Sequence, residues 1–166
     1  HTRYIGVWSS DVCSSDLSNL KVLNLVEKIL KRGVDEITIA DTVGYANPKQ
    51  VRMLFKKLIN LTDNLKIFAH FHDTRGLGIV NVLTAFDLGI RKFDSSLLGL
   101  GGCPFAPGAS GNVATEDLIY LFNSMRVSTG INLEDLVILC KNISKFFPNE
   151  VVNGRILSAG IPKNYY

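Results

Sequence analysis

The sequence predicts an α/β fold built on parallel strands, and three observations predict it. Short apolar runs alternate with amphipathic segments in the order strand, helix, strand, helix, strand, helix, strand, with short links. The helical segments carry their own start or stop signals. Asp41, the pair His70 and His72, and Cys103 all follow strand-like runs, and in parallel α/β architectures the chemistry gathers at the carboxyl ends of strands. Each crossover is expected to be right-handed.

Tyr4 to Trp8 is a short apolar run that reads as the first strand. Ser9 to Ser18, rich in serine and aspartate, reads as a loop, and Cys13 within it is given no chemistry. Ser18 or Asn19 caps a helix running to Arg32, with Leu20, Val22, Leu23, Val26, Ile29 and Leu30 as a broad apolar stripe and Gly33 as its stop. Val34 to Ala40 is the next strand and ends at Asp41-Thr-Val-Gly44. Pro48 stands where a first-turn proline belongs. The helix it opens buries Val51, Leu54, Phe55, Leu58 and Ile59 and keeps Lys49, Arg52, Lys56 and Lys57 outside.

Leu65 to Phe71 is the third strand, Thr74 to Gly78 a turn, and Ile79 to Leu88 a helix closed by Gly89. Lys92 to Leu98 is expected as a fourth strand, with Phe93, Ser95 and Leu97 on one face. A glycine-rich loop, Gly99 to Gly111, follows. Thr115 to Met125 reads as a helix with Glu116 and Asp117 in its first turn, where the dipole favours them. Asn132 caps another helix from Leu133 to Phe147, its buried side being Leu136, Leu139, Cys140, Ile143 and Phe147. Cys140 is simplest as a core thiol. Pro148 to Tyr166 is irregular or holds at most one short helix.

The 166 residues suffice for one domain with a substantial core. Apolar content is 46% and charged content 20%, values of a globular rather than a disordered chain. The formal charge of +3 is modest and scattered, with Lys31-Arg32 and Lys56-Lys57 at solvated helix edges, so no nucleic-acid partner is expected. No apolar run reaches membrane-span length, and there is no secretory signal pattern. Three cysteines, odd in number and widely spaced, argue against a disulfide framework. The first residue is His1 rather than methionine, and the expectation is a fragment or processed product.

Two of the three histidines fall in Ile67-Phe-Ala-His-Phe-His-Asp73. Side chains alternate along a strand, so Phe68, His70 and His72 share one face and Ile67, Ala69 and Phe71 the other. Two imidazoles so placed either bond to neighbouring loops or grip one metal ion. With oxygen donors added, magnesium, manganese, zinc and iron all fit, and spacing alone selects none. The Gly99–Gly111 loop is not a nucleotide fingerprint: no G-x-G-x-x-G opens a helix and no G-K-[ST] occurs. It is either a plain flexible lid or a carrier for Cys103, which stands near its centre beside small residues.

Three runs together resemble the 3-hydroxy-3-methylglutaryl-CoA lyase family: Ala40-Asp-Thr-Val-Gly44, His70-Phe-His-Asp-Thr-Arg-Gly-Leu-Gly78, and Asp94 through Gly-Gly-Cys-Pro to Gly-Asn-Val-Ala-Thr-Glu-Asp117. The resemblance runs from about Gly33 to about Ile143. Its Gly-Gly-Cys-Pro loop is the specific part, whereas His-x-His-Asp alone points only to the wider superfamily of metal-dependent barrels with isopropylmalate and homocitrate synthases. The resemblance implies a partial TIM (β/α)8 barrel: about strands 5–8 with their helices plus C-terminal helices, with residues 1–166 forming the C-terminal part of one domain whose N-terminal half is absent.

It further implies that His70, His72 and the Asn112 amide ligate a divalent cation, Mg2+ or Mn2+. By the same resemblance Cys103 matches the catalytic thiol, Asp41 the acidic residue near the substrate hydroxyl, and Glu116 a polar residue supporting the site. The implied reaction is metal-dependent carbon–carbon cleavage of 3-hydroxy-3-methylglutaryl-CoA to acetyl-CoA and acetoacetate, as in leucine degradation and ketone-body metabolism. The cation lowers the pKa of the substrate hydroxyl, a base takes its proton, and an acid protonates the thioester enolate. A thiol with an unperturbed pKa of about 8.5 suits that last role.

The sequence also departs from the family. No Arg-Asp pair, the family's first-strand metal ligand and enolate-stabilising arginine, occurs in it, and Ser9 to Leu17 does not fit the family's Cys-Pro-rich turn. The expectations are therefore negligible lyase activity in isolation, marginal stability, and an inner sheet face apolar around Ile37, Ile39, Phe68, Phe93 and Leu97. An acyl-CoA substrate, the missing half of the polypeptide and a homo-oligomer are the partners expected, and no membrane. The compartment would be cytoplasmic in a bacterium and mitochondrial in a eukaryote. The alternatives are a related 3-hydroxyacyl-CoA lyase, a condensing acyltransferase (against which Cys103 counts), or a non-catalytic half-barrel module.

Overall fold

The computed structural model describes residues 4–7, 18–62, 66–102 and 111–163, with 4–7 and 66 described by backbone only. They fall into two compact units, one ending at Asp94 and one beginning at Ser95.

The first unit is a parallel sheet of β1 (Tyr4–Val7), β2 (Glu36–Asp41), β3 (Lys66–Phe71) and β4 (Lys92–Asp94), side by side in chain order. The connecting helices are α1 (Asn19–Leu30), α2 (Pro48–Leu61) and α3 (Gly78–Asp87). An unbroken order of this kind is what an arc of a (β/α) barrel requires, while a doubly wound sheet reverses direction at a switch point. Ser18 rather than Asn19 caps α1, accepting from the Lys21 amide. In α2, Asn47 and Gln50 exchange side-chain and backbone hydrogen bonds in a capping box ahead of Pro48. The α1 stripe is narrower than expected. Leu23 and Val26 are buried, but Leu20 in the first turn is 67% exposed, with nothing among the described residues packed over it.

The register decides what each sheet face carries. Ile37 and Ile39 pair with Ile67 and Ala69, and Ala69 with Phe93. Ile37, Ile39, Ile67, Ala69 and Phe71 are buried, and the Phe71 ring lies 6.2 Å from Phe55 of α2. This is the helix-covered face. Thr38 and Ala40 pair with Phe68 and His70, which pair in turn with Lys92 and Asp94, on the opposite face. There Lys92 Nζ donates to Glu36 Oε1 at 2.8 Å and stands 4.5 Å from the Phe68 ring. The expected apolar inner face is thus corrected. Ile37, Ile39 and Phe93 alternate onto the helix side, and of the five residues named for the inner face only Phe68 lies on it.

The fourth strand ends earlier than expected, at the boundary with the second unit. It stops at Asp94, and Leu97–Gly99 forms a kinked 3-10 turn with Leu98 at φ 63°. Ser96 instead bridges Ala114: its amide donates to the Val113 carbonyl, and its carbonyl accepts from Thr115. Apolar patterning alone cannot distinguish this turn from a longer strand. Helices α4 (Thr115–Ser124), α5 (Leu133–Ser144) and α6 (Arg155–Ala159) follow. Their core is Leu98, Ile119, Leu133, Leu136, Val137, Cys140 and Ile156. Asn132 caps α5 through the Asp135 amide. Leu133, Leu136, Val137 and Cys140 follow helical spacing, which turns Leu139 outward, and Phe147 lies past the helix end; both are exposed, against expectation. Among the described residues no helix is long and apolar enough to cross a membrane.

Candidate functional site

His70 is in the last turn of sheet pairing on β3 and His72 lies one residue beyond the strand. Their ring centroids are 5.2 Å apart at an interplanar angle of 68°. Burial lowers the pKa of His72 to about 4, with the neighbouring His70 adding to the effect. Burial also lowers that of His70, against the opposing pull of Asp94 and then Asp41. Both rings therefore favour the neutral form, which has a lone pair to give. Nδ1 of His72 is buried and has no hydrogen-bond partner among the described residues. An unpartnered imidazole nitrogen beside a second neutral imidazole fits what a divalent cation takes from protein. Among the described residues no three His, Cys, Asp or Glu side chains gather as a metal-holding group.

Asp41 closes the neighbouring strand end. Its two carboxylate oxygens accept from the backbone amides of Tyr45 and Ala46, each at 3.0 Å. Burial raises its pKa, while these bonds and His70 act against the rise. The loops after β2 and β3 approach closely. A Cβ on Gly44, itself at φ +68°, would stand 3.1 Å from Thr74 Cβ and 3.3 Å from the His72 carbonyl oxygen. Asn81 of α3, fully buried, donates to the Ala46 carbonyl at 2.8 Å. Arg75 Nη1 donates to the Val43 carbonyl at 2.9 Å, with its guanidinium 4.2 Å from the Tyr45 ring centroid. Sequence reasoning missed Arg75, Tyr45 and Asn81. The two long-range hydrogen bonds span 32 and 35 residues, and no local pattern reports such pairing.

Asn112 and Glu116 belong to the second unit. Asn112 Nδ2 donates to the Leu100 carbonyl at 2.8 Å, and its buried Oδ1 has no partner among the described residues. The amide oxygen, the atom a hard cation takes, is the one left free. Glu116 is fully buried, and its Oε2 accepts from the Leu98 amide at 3.1 Å and from the Cys140 thiol at 3.6 Å. It ties the Leu97–Gly99 turn to α4 and α5. Burial raises its pKa, and burial together with Glu116 pushes the Cys140 thiol up to about 12. Asp117, also in the first turn of α4, accepts from the Arg155 and Ile156 amides, both at 2.8 Å, and so fixes the one short helix that the sequence allows in the tail. Cys103 and Cys13 lie outside the described residues.

The structure thus brings His70, His72 and Asp41 together at adjacent strand ends, and separately joins Glu116 to the turn leading into the glycine-rich loop. A family model described as HMGL-like matches residues 3–143. Over 125 residues the chain is 43% identical to the hydroxymethylglutaryl-CoA lyase YngG of Bacillus subtilis (strain 168), covering 75% of this chain and 42% of that protein. It is 44% identical over 117 residues to the (R)-citramalyl-CoA lyase of Chloroflexus aurantiacus, covering 70% and 37%. Among solved structures, an HMG-CoA lyase from Acinetobacter baumannii in complex with coenzyme A and 3-methylmalate superposes with a TM-score of 0.86 at 38% identity, covering 97% of this chain and 52% of that one. The chain spans about two fifths of the length of the curated relatives it matches. Its parallel sheet with flanking helices is consistent with part of a TIM-barrel-like lyase fold, and the chain belongs to the HMGL-like family.

Proposed function

We propose that the chain is the C-terminal part of a metal-dependent barrel lyase, about strands 5–8 and the trailing helices, that cleaves 3-hydroxy-3-methylglutaryl-CoA to acetyl-CoA and acetoacetate. The observation that carries this reading is the pair of imidazoles at the end of β3, their ring centroids 5.2 Å apart, one with an unpartnered buried nitrogen. His70, His72 and the amide oxygen of Asn112 would hold the cation, Mg2+ or Mn2+. When bound, that ion supplies charge that makes the substrate hydroxyl acidic. Asp41, held in place by two backbone amides and made more basic by burial, accepts the hydroxyl proton. The C3 oxygen then forms the ketone of acetoacetate as the C2–C3 bond of the acyl chain breaks, its electron pair staying with C2, the carbon next to the thioester carbonyl. Cys103 donates a proton to that carbon, giving acetyl-CoA and leaving acetoacetate. Glu116 acts through the backbone, holding the turn from which the Cys103 loop departs.

The identity to a citramalyl-CoA lyase, level with that to hydroxymethylglutaryl-CoA lyases, favours a second reading in which a closely related 3-hydroxyacyl-CoA is the substrate. Equilibrium dialysis against Mn2+ tests the shared core of both. The expected result is that His70→Ala and His72→Ala each weaken binding at least about tenfold while Cys103→Ser leaves it unchanged. Equal Mn2+ binding by all four proteins would contradict the proposal.

A further inference from the structure

We infer that Arg75 is a specificity-determining residue that grips an oxyanion of the acyl-CoA at the mouth of the histidine site; the inference rests on the acyl-CoA reading above. Arg75 stands three residues after His72, on the loop between β3 and α3. It is pinned to the other strand-end loop, the one that follows Asp41, by its hydrogen bond to the Val43 carbonyl and its stacking over Tyr45. A guanidinium has five N–H donors in one plane. Stacking occupies a face and the Val43 carbonyl takes one donor, so the remaining edge stays available, and the side chain is exposed.

The acidic side chains beside the two loops, Asp41 and Asp73, bond to backbone amides. Both oxygens of Asp41 accept from backbone amides, and Asp73 Oδ1 accepts from the Gly78 amide at 2.7 Å. Among the described residues Arg75 has no carboxylate partner. A guanidinium held by a hydrogen bond and a ring stack, three residues on from His72 and without a carboxylate partner among the described residues, matches a planar or tetrahedral oxyanion. An acyl-CoA of the proposed class offers two: the carboxylate of the acyl group and the phosphates of coenzyme A. Tyr45 restrains the guanidinium and so acts as a positioning residue.

Calorimetric titration of the full chain, Mn2+ present, with coenzyme A, pantetheine and 3-hydroxy-3-methylglutarate separates the sources. The expected result is that Arg75→Gln weakens either coenzyme A or 3-hydroxy-3-methylglutarate by about tenfold or more. Loss for coenzyme A alone assigns the phosphates, and loss for 3-hydroxy-3-methylglutarate alone assigns the carboxylate. Arg75→Lys should keep the salt dependence of binding but part of the affinity only, and pantetheine, which has no oxyanion, should bind both proteins alike. Unchanged binding of both anions, no binding of either by the wild type, or an equal loss for pantetheine overturns the inference. Because Mn2+ retention by Arg75→Gln is read in parallel, failure here is distinguishable from failure of the metal site.

Discussion

A buried imidazole nitrogen without a hydrogen-bond partner costs folding free energy unless something binds it. His72 is in that position, its pKa lowered to about 4 by burial and by His70, with Nδ1 lacking a partner among the described residues. Replacing it with leucine, similar in bulk and indifferent to burial, should leave the metal-free melting temperature unchanged or higher while abolishing the shift that Mn2+ produces; a lower metal-free melting temperature would point to a hydrogen-bonding role instead. Cys140 makes the opposite case, a nucleophile held inert. With its pKa pushed up to about 12 and its side chain fully buried, it should not react with a disulfide reagent at pH 8 in a Cys13→Ser/Cys103→Ser background until the protein unfolds. Rapid labelling of the folded chain would contradict that packing. Glu116 gives a pH dependence with a definite sign. Burial raises its folded pKa above the ordinary glutamate value of 4.5, so the stabilisation is full below about pH 4.5 and is lost as pH rises through the folded value. Glu116→Gln should flatten that part of the stability profile, measured by urea unfolding between pH 4 and 8. At this scale the histidine pair and Asp41 were legible because each stands at a strand end in its own short motif. Arg75 over Tyr45 was not, since stacking depends on how two loops meet.

Elements whose ends are fixed by local chemistry were the readable ones. Pro48 placed the start of α2, and the Asn47–Gln50 box completes it. Asn47→Ala should cost about 1 kcal/mol in thermal or urea unfolding, whereas an unaltered stability would show the box to be idle. The end of β4 was not readable, because Ser95-Ser-Leu-Leu carries no glycine or proline to mark a stop, while Ser96 and Leu98 find partners at Val113, Thr115 and Glu116. In the tail the sequence allows at most one short helix and leaves its place open, since what holds it is distant in the chain. α6 is five residues long, and it is held by Asp117 and by the space at Gly154, where a Cβ would clash with Glu116 Oε1. Gly154→Ala should therefore destabilise the second unit by about 1–3 kcal/mol, as an inserted methyl does in a packed core.

For the whole molecule, strand order and register matter more than composition. Chain-order parallel strands place Asp41 and the two histidines at one end of one sheet, where a barrel keeps its chemistry. The sheet face away from the helices carries Glu36, Thr38, His70, Lys92 and Asp94 around Phe68, a polar lining that the sequence concealed because Ile37 and Ile39 drew attention to the wrong side of the alternation. Under the proposed reading, residues held elsewhere in the barrel complete the site, and the chain alone should release no measurable acetyl-CoA from 3-hydroxy-3-methylglutaryl-CoA with Mg2+; turnover at an ordinary enzyme rate would contradict it. The central claim is that two imidazoles of this chain share one ion. Pulsed electron paramagnetic resonance of the Mn2+-loaded chain addresses it directly: the prediction is nitrogen coupling from two imidazoles, reduced to one by His70→Ala or by His72→Ala. A wild-type spectrum without imidazole nitrogen, or one that neither substitution alters, would contradict it.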